Sequence, residues 1–174
     1  MKVVIVSASP RKNSNTRIIM KYVVGYVGTK DVDVRFIDLL HDQVECFRGH
    51  EMEYNETTKK AANDLMDADV WLIGTPIYNS FFSSALKNLF EYVDYKKTEG
   101  KVAGITIVAA GNIGFIDVQT LVTQLLSYFR IITNPKAVFI TTDLISNNDI
   151  NEDAKKRLRE MADNTLGLAA KLRK

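Results

Sequence analysis

A chain of 174 residues is about the size of one domain and long enough to bury a substantial core. A hydrophobic fraction of 46% with a charged fraction of 25% is ordinary for a globular protein, and a net charge of +2 makes no case for nucleic acid or a membrane surface as partner. No stretch reaches the roughly 18 uninterrupted apolar residues of a membrane span, and the one cysteine, Cys46, builds neither an internal disulfide nor a metal-binding cysteine cluster.

Taken in chain order, buried-strand patterns alternate with helical ones. Lys2–Ala8 (KVVIVSA) is continuously apolar and β-branched, as a central parallel strand covered on both faces requires. After a polar loop, Ser7–Thr16 (SASPRKNSNT), the apolar stripe Ile18, Ile19, Tyr22, Val23, Tyr26 and Val27 predicts a helix with Ser14 as its N-cap. Asp31–Asp38 alternates more and predicts a strand nearer an edge, followed by an irregular stretch, Leu39–Thr57, that holds both histidines and the cysteine. Ala61, Ala62, Leu65 and Met66 form a weaker helical stripe before the strand Asp69–Thr75, which Pro76 is expected to stop. Ala85, Leu86, Leu89, Phe90 and Val93 predict the next helix, Lys101–Ala110 the fourth strand, and Phe115, Val118, Val122, Leu125 and Phe129 the helix after it. Ala137–Thr142 is the fifth strand. Ala154, Leu158, Met161, Thr165, Leu168 and Leu172 mark a last helix, with Asn151, Glu152 and Asp153 at its start and Lys171, Arg173 and Lys174 at its end.

Five such β–α units predict an α/β protein: a single domain over residues 1–174 built on a parallel sheet with helices on both faces. The common five-stranded doubly wound order is 2-1-3-4-5, which places ligands beyond the carboxyl ends of the strands. Three loops there look ligand-shaped. In the first, Ser9, Arg11, Ser14, Asn15 and Thr16 supply short donors, one charge and a helix N-terminus, which together suit a phosphate monoester. A polar turn with a helix cap explains the same residues equally well. In the second, Pro76, Ile77, Tyr78, Asn79 and Ser80 set an aromatic beside an amide and a hydroxyl, which suits a flat heteroaromatic ligand, while Phe81 and Phe82 need a ligand, a subunit or the core to cover them. The third, Ala110, Gly111, Asn112 and Gly114, is small enough for its backbone to approach a ligand, although glycine before a helix also makes a plain turn.

Missing patterns narrow the chemistry. No G-x-x-x-x-G-K-[ST] and no G-x-G-x-x-G follows the first strand, so neither a P-loop nor the usual dinucleotide fingerprint is present. His41, His50, Asp42, Glu45 and Glu51 fit no metal spacing, and no metal site is expected. The expected rim has donors and flat surfaces without an acid–base pair, a combination that suits a bound cofactor supplying the reactive atoms.

The segments SASPRKNSNT, GTPIYNSFFSSALKN and AAGNIG, in that order, resemble the NAD(P)H-dependent FMN reductase family of flavodoxin-like proteins over nearly the whole chain. The resemblance implies a flavodoxin-like three-layer sandwich and bound FMN, with NADPH or NADH as hydride donor in a two-electron ping-pong reaction. It also implies a flavin, quinone, azo or similar acceptor and a homodimer or homotetramer; the composition, the lone cysteine and the lack of a span-length apolar run are the reason to expect a cytoplasmic location. Carried over by position, Ser9, Arg11, Ser14, Asn15 and Thr16 hold the phosphate, and Pro76 to Ser80 run along the ring and ribityl chain. Ala110, Gly111, Asn112 and Gly114 edge the pyrimidine side. Arg11, Lys12 and Arg17 are candidates for the extra phosphate of NADPH, and Phe81, Phe82 and Tyr92 for a subunit interface. The alternatives are a flavodoxin-type one-electron carrier or a non-catalytic FMN-binding protein; a Ser-Pro-Arg loop on a chain that is not acidic argues against the carrier.

Overall fold

The computed structural model describes residues 1–173, so Lys174 lies outside the described residues. Its strands are β1 (Lys2–Ser7), β2 (Asp33–Asp38), β3 (Val70–Tyr78), β4 (Phe81–Phe82), β5 (Val102–Ala109), β6 (Ile132–Thr133), β7 (Val138–Thr141), β8 (Ile145–Ser146) and β9 (Asp149–Ile150). The helices are α1 (Asn15–Val27), α2 (Glu56–Asp67), α3 (Ser84–Phe90), α4 (Phe115–Tyr128) and α5 (Glu152–Leu172).

The main sheet runs β2-β1-β3-β5, with β6 and β7 both pairing in parallel with β5. This is the flavodoxin-like order predicted above, with the fifth strand in two pieces. Its break lies at Asn134-Pro135, where proline has no N–H to give a ladder and only an edge strand accommodates it. Asn134 secures the break: its N–H donates to Ala103 at 2.7 Å, its Nδ2 to Thr165 at 3.0 Å, and its Oδ1 accepts the Lys136 N–H at 3.0 Å.

Alternate residues of the central strands feed two cores, which is why those strands read as unbroken apolar runs. Val4, Val6, Trp71, Ile73, Ile105 and Ile107 face α2, α3 and α4. Val3, Ile5, Val70 and Leu72 face α1 and α5. Trp71 is fully buried and satisfies its indole N–H on the Leu65 carbonyl at 2.9 Å. Asn55 and Asn151 cap α2 and α5, each accepting a backbone N–H from three residues on.

One boundary differs in a way that shapes the site. Pro76 does not stop its strand: β3 continues through it to Tyr78, with Pro76 level with Val108. The Gly74 carbonyl accepts from Ala8, so Gly74, and by strand alternation Pro76, turn their backbone groups toward β1. At Pro76, β1 has already ended, so the missing N–H costs no ladder bond. The strand therefore carries Ile77 and Tyr78 beyond the end of β1.

Candidate functional site

At the carboxyl ends of β1, β3 and β5 lies a cleft of about 300 Å³. From the first loop it takes Ser9, Arg11, Ser14, Asn15 and Thr16, and from β3 and its turn Pro76, Ile77, Tyr78 and Asn79. Ala110 joins from the loop after β5. Ser80, Gly111, Asn112 and Gly114, expected beside them, do not line it.

The first loop ends at Ser14, whose Oγ accepts the Arg17 N–H at 3.1 Å and caps α1. The hydroxyl proton of Ser14 remains available, and the N–H groups of Asn15 and Thr16 precede the first intrahelical bond. No acidic residue occupies the first turn of α1, and among the described residues no carboxylate lines the cleft. Among the described residues Arg11 is its only formal charge. An array of one exposed guanidinium, a hydroxyl and free helix N–H groups matches the oxygens of a phosphate monoester and repels none of them.

Ser9 is buried, and its Oγ lies 2.9 Å from the Tyr78 hydroxyl while accepting the Arg11 N–H at 3.4 Å. The Arg11 guanidinium stands 4.3 Å from the centre of the Tyr78 ring. Ser9 and Arg11 thus fix an aromatic plate across one wall of the cleft. The plate is carried by a two-residue hairpin: Tyr78 pairs with Phe81, and Asn79 and Ser80 between them have φ of 50° and 63°. Left-handed conformations at both central residues are those of a type I′ turn, whose twist suits the strands. The turn leaves Ser80 outside the cleft lining. It also separates the two phenylalanines: Phe82 is buried in the core under α4, whereas Phe81 is 46% exposed.

In the loop after β5, Gly111 and Asn112 are exposed and a Cβ at Gly111 would meet open space. Gly114 serves the helix instead. It is the N-cap of α4 with φ of 85°, a conformation that glycine adopts without strain.

Asn13, Val108, Ala109 and Thr142 also line the cleft and were not expected there. Thr142 directly follows β7, the neighbour of β5, and the carboxyl-end rule that selected the other three loops also selects it. Arg17, expected as an exposed cation for a second phosphate, is instead buried with Asp38. Lys12 and Arg11 remain exposed.

The stretch 39–55 has no regular structure and is strapped to α3. Asn88 accepts the Phe47 N–H at 2.8 Å and donates to the Glu45 carbonyl at 2.7 Å, and the Tyr92 hydroxyl donates to the same carbonyl at 2.8 Å. Burial, with Tyr54 and Glu45 nearby, pushes the Tyr92 phenol up to about 12. Tyr92 is thus committed to this strap. Among the described residues no three His, Cys, Asp or Glu side chains gather as metal ligands.

The family described as NADPH-dependent FMN reductase matches residues 1–144. An NAD(P)H-dependent FAD/FMN reductase of Geobacillus thermodenitrificans is 29% identical over 135 residues, 76% of this chain and 73% of the relative. An NADPH azoreductase of Bacillus sp. is 26% identical over 162 residues, 92% and 88% of the two chains. Among solved structures, an NADH:FMN oxidoreductase superposes with a TM-score of 0.81 at 20% identity, covering 94% of this chain and 87% of that one. At that identity the likeness speaks for the fold.

Proposed function

Because the chain belongs to the NADPH-dependent FMN reductase family and is an FMN-dependent NAD(P)H oxidoreductase, we propose that its FMN lies in the cleft with its phosphate in the first loop. The observation that carries this reading is the donor set. The Arg11 guanidinium, a spare hydroxyl on Ser14 and the first N–H groups of α1 converge on a cleft that, among the described residues, holds no carboxylate. In this reading Ile77, Tyr78 and Asn79 flank the ring system, and Ala109 and Ala110 offer it backbone at close range.

FMN held there would supply the redox chemistry, hydride transfer from the nicotinamide and two-electron transfer to an acceptor. The chain's part is to bind and orient. Among the described residues Arg11 and Tyr78 are the only titratable side chains along the cleft, so none of these is placed to act as a general acid–base pair, and turnover rests on positioning. The acceptor class we favour is flat and aromatic: a flavin, a quinone or an azo compound. Exposed Phe81 at 46% and Ile113 at 90%, carried by the β3–β4 hairpin and the loop after β5, give such a molecule apolar surface near the cleft. The reductase matches do not favour the one-electron carrier.

The same surface supports a homodimer or homotetramer. Ile116, 65% exposed, extends it along α4, whose only charged residue is Asp117. Light scattering that gives a monomer at all concentrations overturns this part. We place the protein in the cytoplasm, where nicotinamide cofactors are supplied; among the described residues no helix is long and apolar enough to cross a membrane.

Titrating apoprotein with FMN tests the cradle. Arg11→Ala removes a charge-assisted contact and is expected to weaken binding roughly tenfold or more, and Ser14→Ala weakens it less. Unchanged affinity in both variants removes the first loop from the site.

A further inference from the structure

We propose that Arg17, which does not face the cleft, is the positioning residue that gives the phosphate cradle its shape. The inference rests on the cradle reading above and goes one layer beneath it. Arg17 and Asp38 are 8% and 5% exposed, and Arg17 Nε donates to Asp38 Oδ2 at 2.6 Å. The other two arms of the guanidinium reach the loop itself, donating to the Lys12 carbonyl at 2.9 Å and the Arg11 carbonyl at 3.2 Å. One planar fork thus ties two consecutive carbonyls of the loop to the end of β2.

Those carbonyls decide whether the loop can hold an anion. A carbonyl oxygen turned into the cleft sets negative charge against a phosphate, whereas one engaged by Arg17 is held on the opposite side of the loop. Arg17 sequesters both acceptors and leaves the donors of Arg11, Ser14, Asn15 and Thr16 to the ligand. Its own charge is cancelled by Asp38 at contact distance, so its contribution is geometric rather than long-range attraction. Asp38 is itself fixed: its Oδ1 accepts the Leu40 N–H at 3.3 Å and its N–H donates to Asp42 Oδ2 at 2.6 Å. His41 stands 4.0 Å from the carboxylate on the exposed side. A lysine at position 17 restores the charge but not the fork, because an ammonium is compact and cannot span three partners fixed in a plane.

Paired titrations of apoprotein with FMN and with riboflavin, which lacks the phosphate, test this. For Arg17→Lys the preference for FMN over riboflavin is expected to fall roughly tenfold, the loss of charge-assisted contacts to the phosphate, while riboflavin affinity holds. A general loosening of the fold weakens both ligands together, and an unchanged preference therefore overturns the proposal. If Arg17→Lys does not fold, the double variant Arg17→Gln/Asp38→Asn, which removes both charges together and the three-armed fork with them, is read in the same way. A wild-type protein that does not prefer FMN fails the cradle reading itself, and the inference with it.

Discussion

Asn79 and Ser80 hold the Tyr78 plate in place at a cost in backbone strain. Both sit at positive φ, which a non-glycine residue adopts at roughly 1–2 kcal/mol, asparagine more easily than serine. Ser80 lines nothing in the cleft. Ser80→Gly relieves the strain and gives back part of it as unfolded-state entropy, so a net gain of up to about 1 kcal/mol, read by urea denaturation, is expected. A loss of stability would show that the serine side chain makes a contact worth more than the strain. At this scale the sequence showed which residue types crowd the first loop but not how they divide their work. Arg11 and Arg17 look alike along the chain; Arg17 is buried because Asp38, 21 residues on, is brought beneath it by β2 pairing with β1. Likewise Ser9 reads as a free donor until β3 brings the Tyr78 hydroxyl against it. Each is a long-range pairing that local sequence does not encode.

Among the elements, strand and helix patterns were legible because two-sided burial writes continuous apolar runs and one-sided docking writes a 3.6-residue stripe. The Ser14 cap and the start of α5 at Asn151 were legible for the same local reason. What was not legible depends on neighbours: β3 passes Pro76 only because β1 ends first, and β6 exists only because β5 extends below the Asn134-Pro135 break. The strap 39–55 belongs here too, since Asn88 and Tyr92 on and after α3 hold a segment more than 40 residues away. Tyr92→Phe removes one of its bonds and is expected to cost about 1 kcal/mol at neutral pH. The phenol is raised in the folded state, from 10.0 to about 12. Its stabilisation is therefore complete below pH 10 and lost as pH rises from 10 through 12. The variant's stability should decline less steeply than wild type across that window; parallel declines would contradict this role.

In the proposed reading the whole molecule concentrates its function at one end of a sheet. Three strands of that sheet end together at a cleft with a cation, a helix N-terminus and an aromatic plate. Among the described residues α1 and α5 cover one face and α2, α3 and α4 the other, so the layers bury both faces of the sheet and leave its carboxyl end open. Exposed Phe81, Ile113 and Ile116 sit on the hairpin, loop and helix that follow β3 and β5, where an acceptor or a second subunit would meet the cleft. The proposed site requires that flavin held there exchange electrons with a nicotinamide. Anaerobic titration of the FMN-loaded protein with NADPH and with NADH, followed by flavin absorbance, tests that most directly. Rapid bleaching by at least one of the two, reversed on adding a quinone, is the predicted result; bound FMN that neither nucleotide bleaches would contradict it.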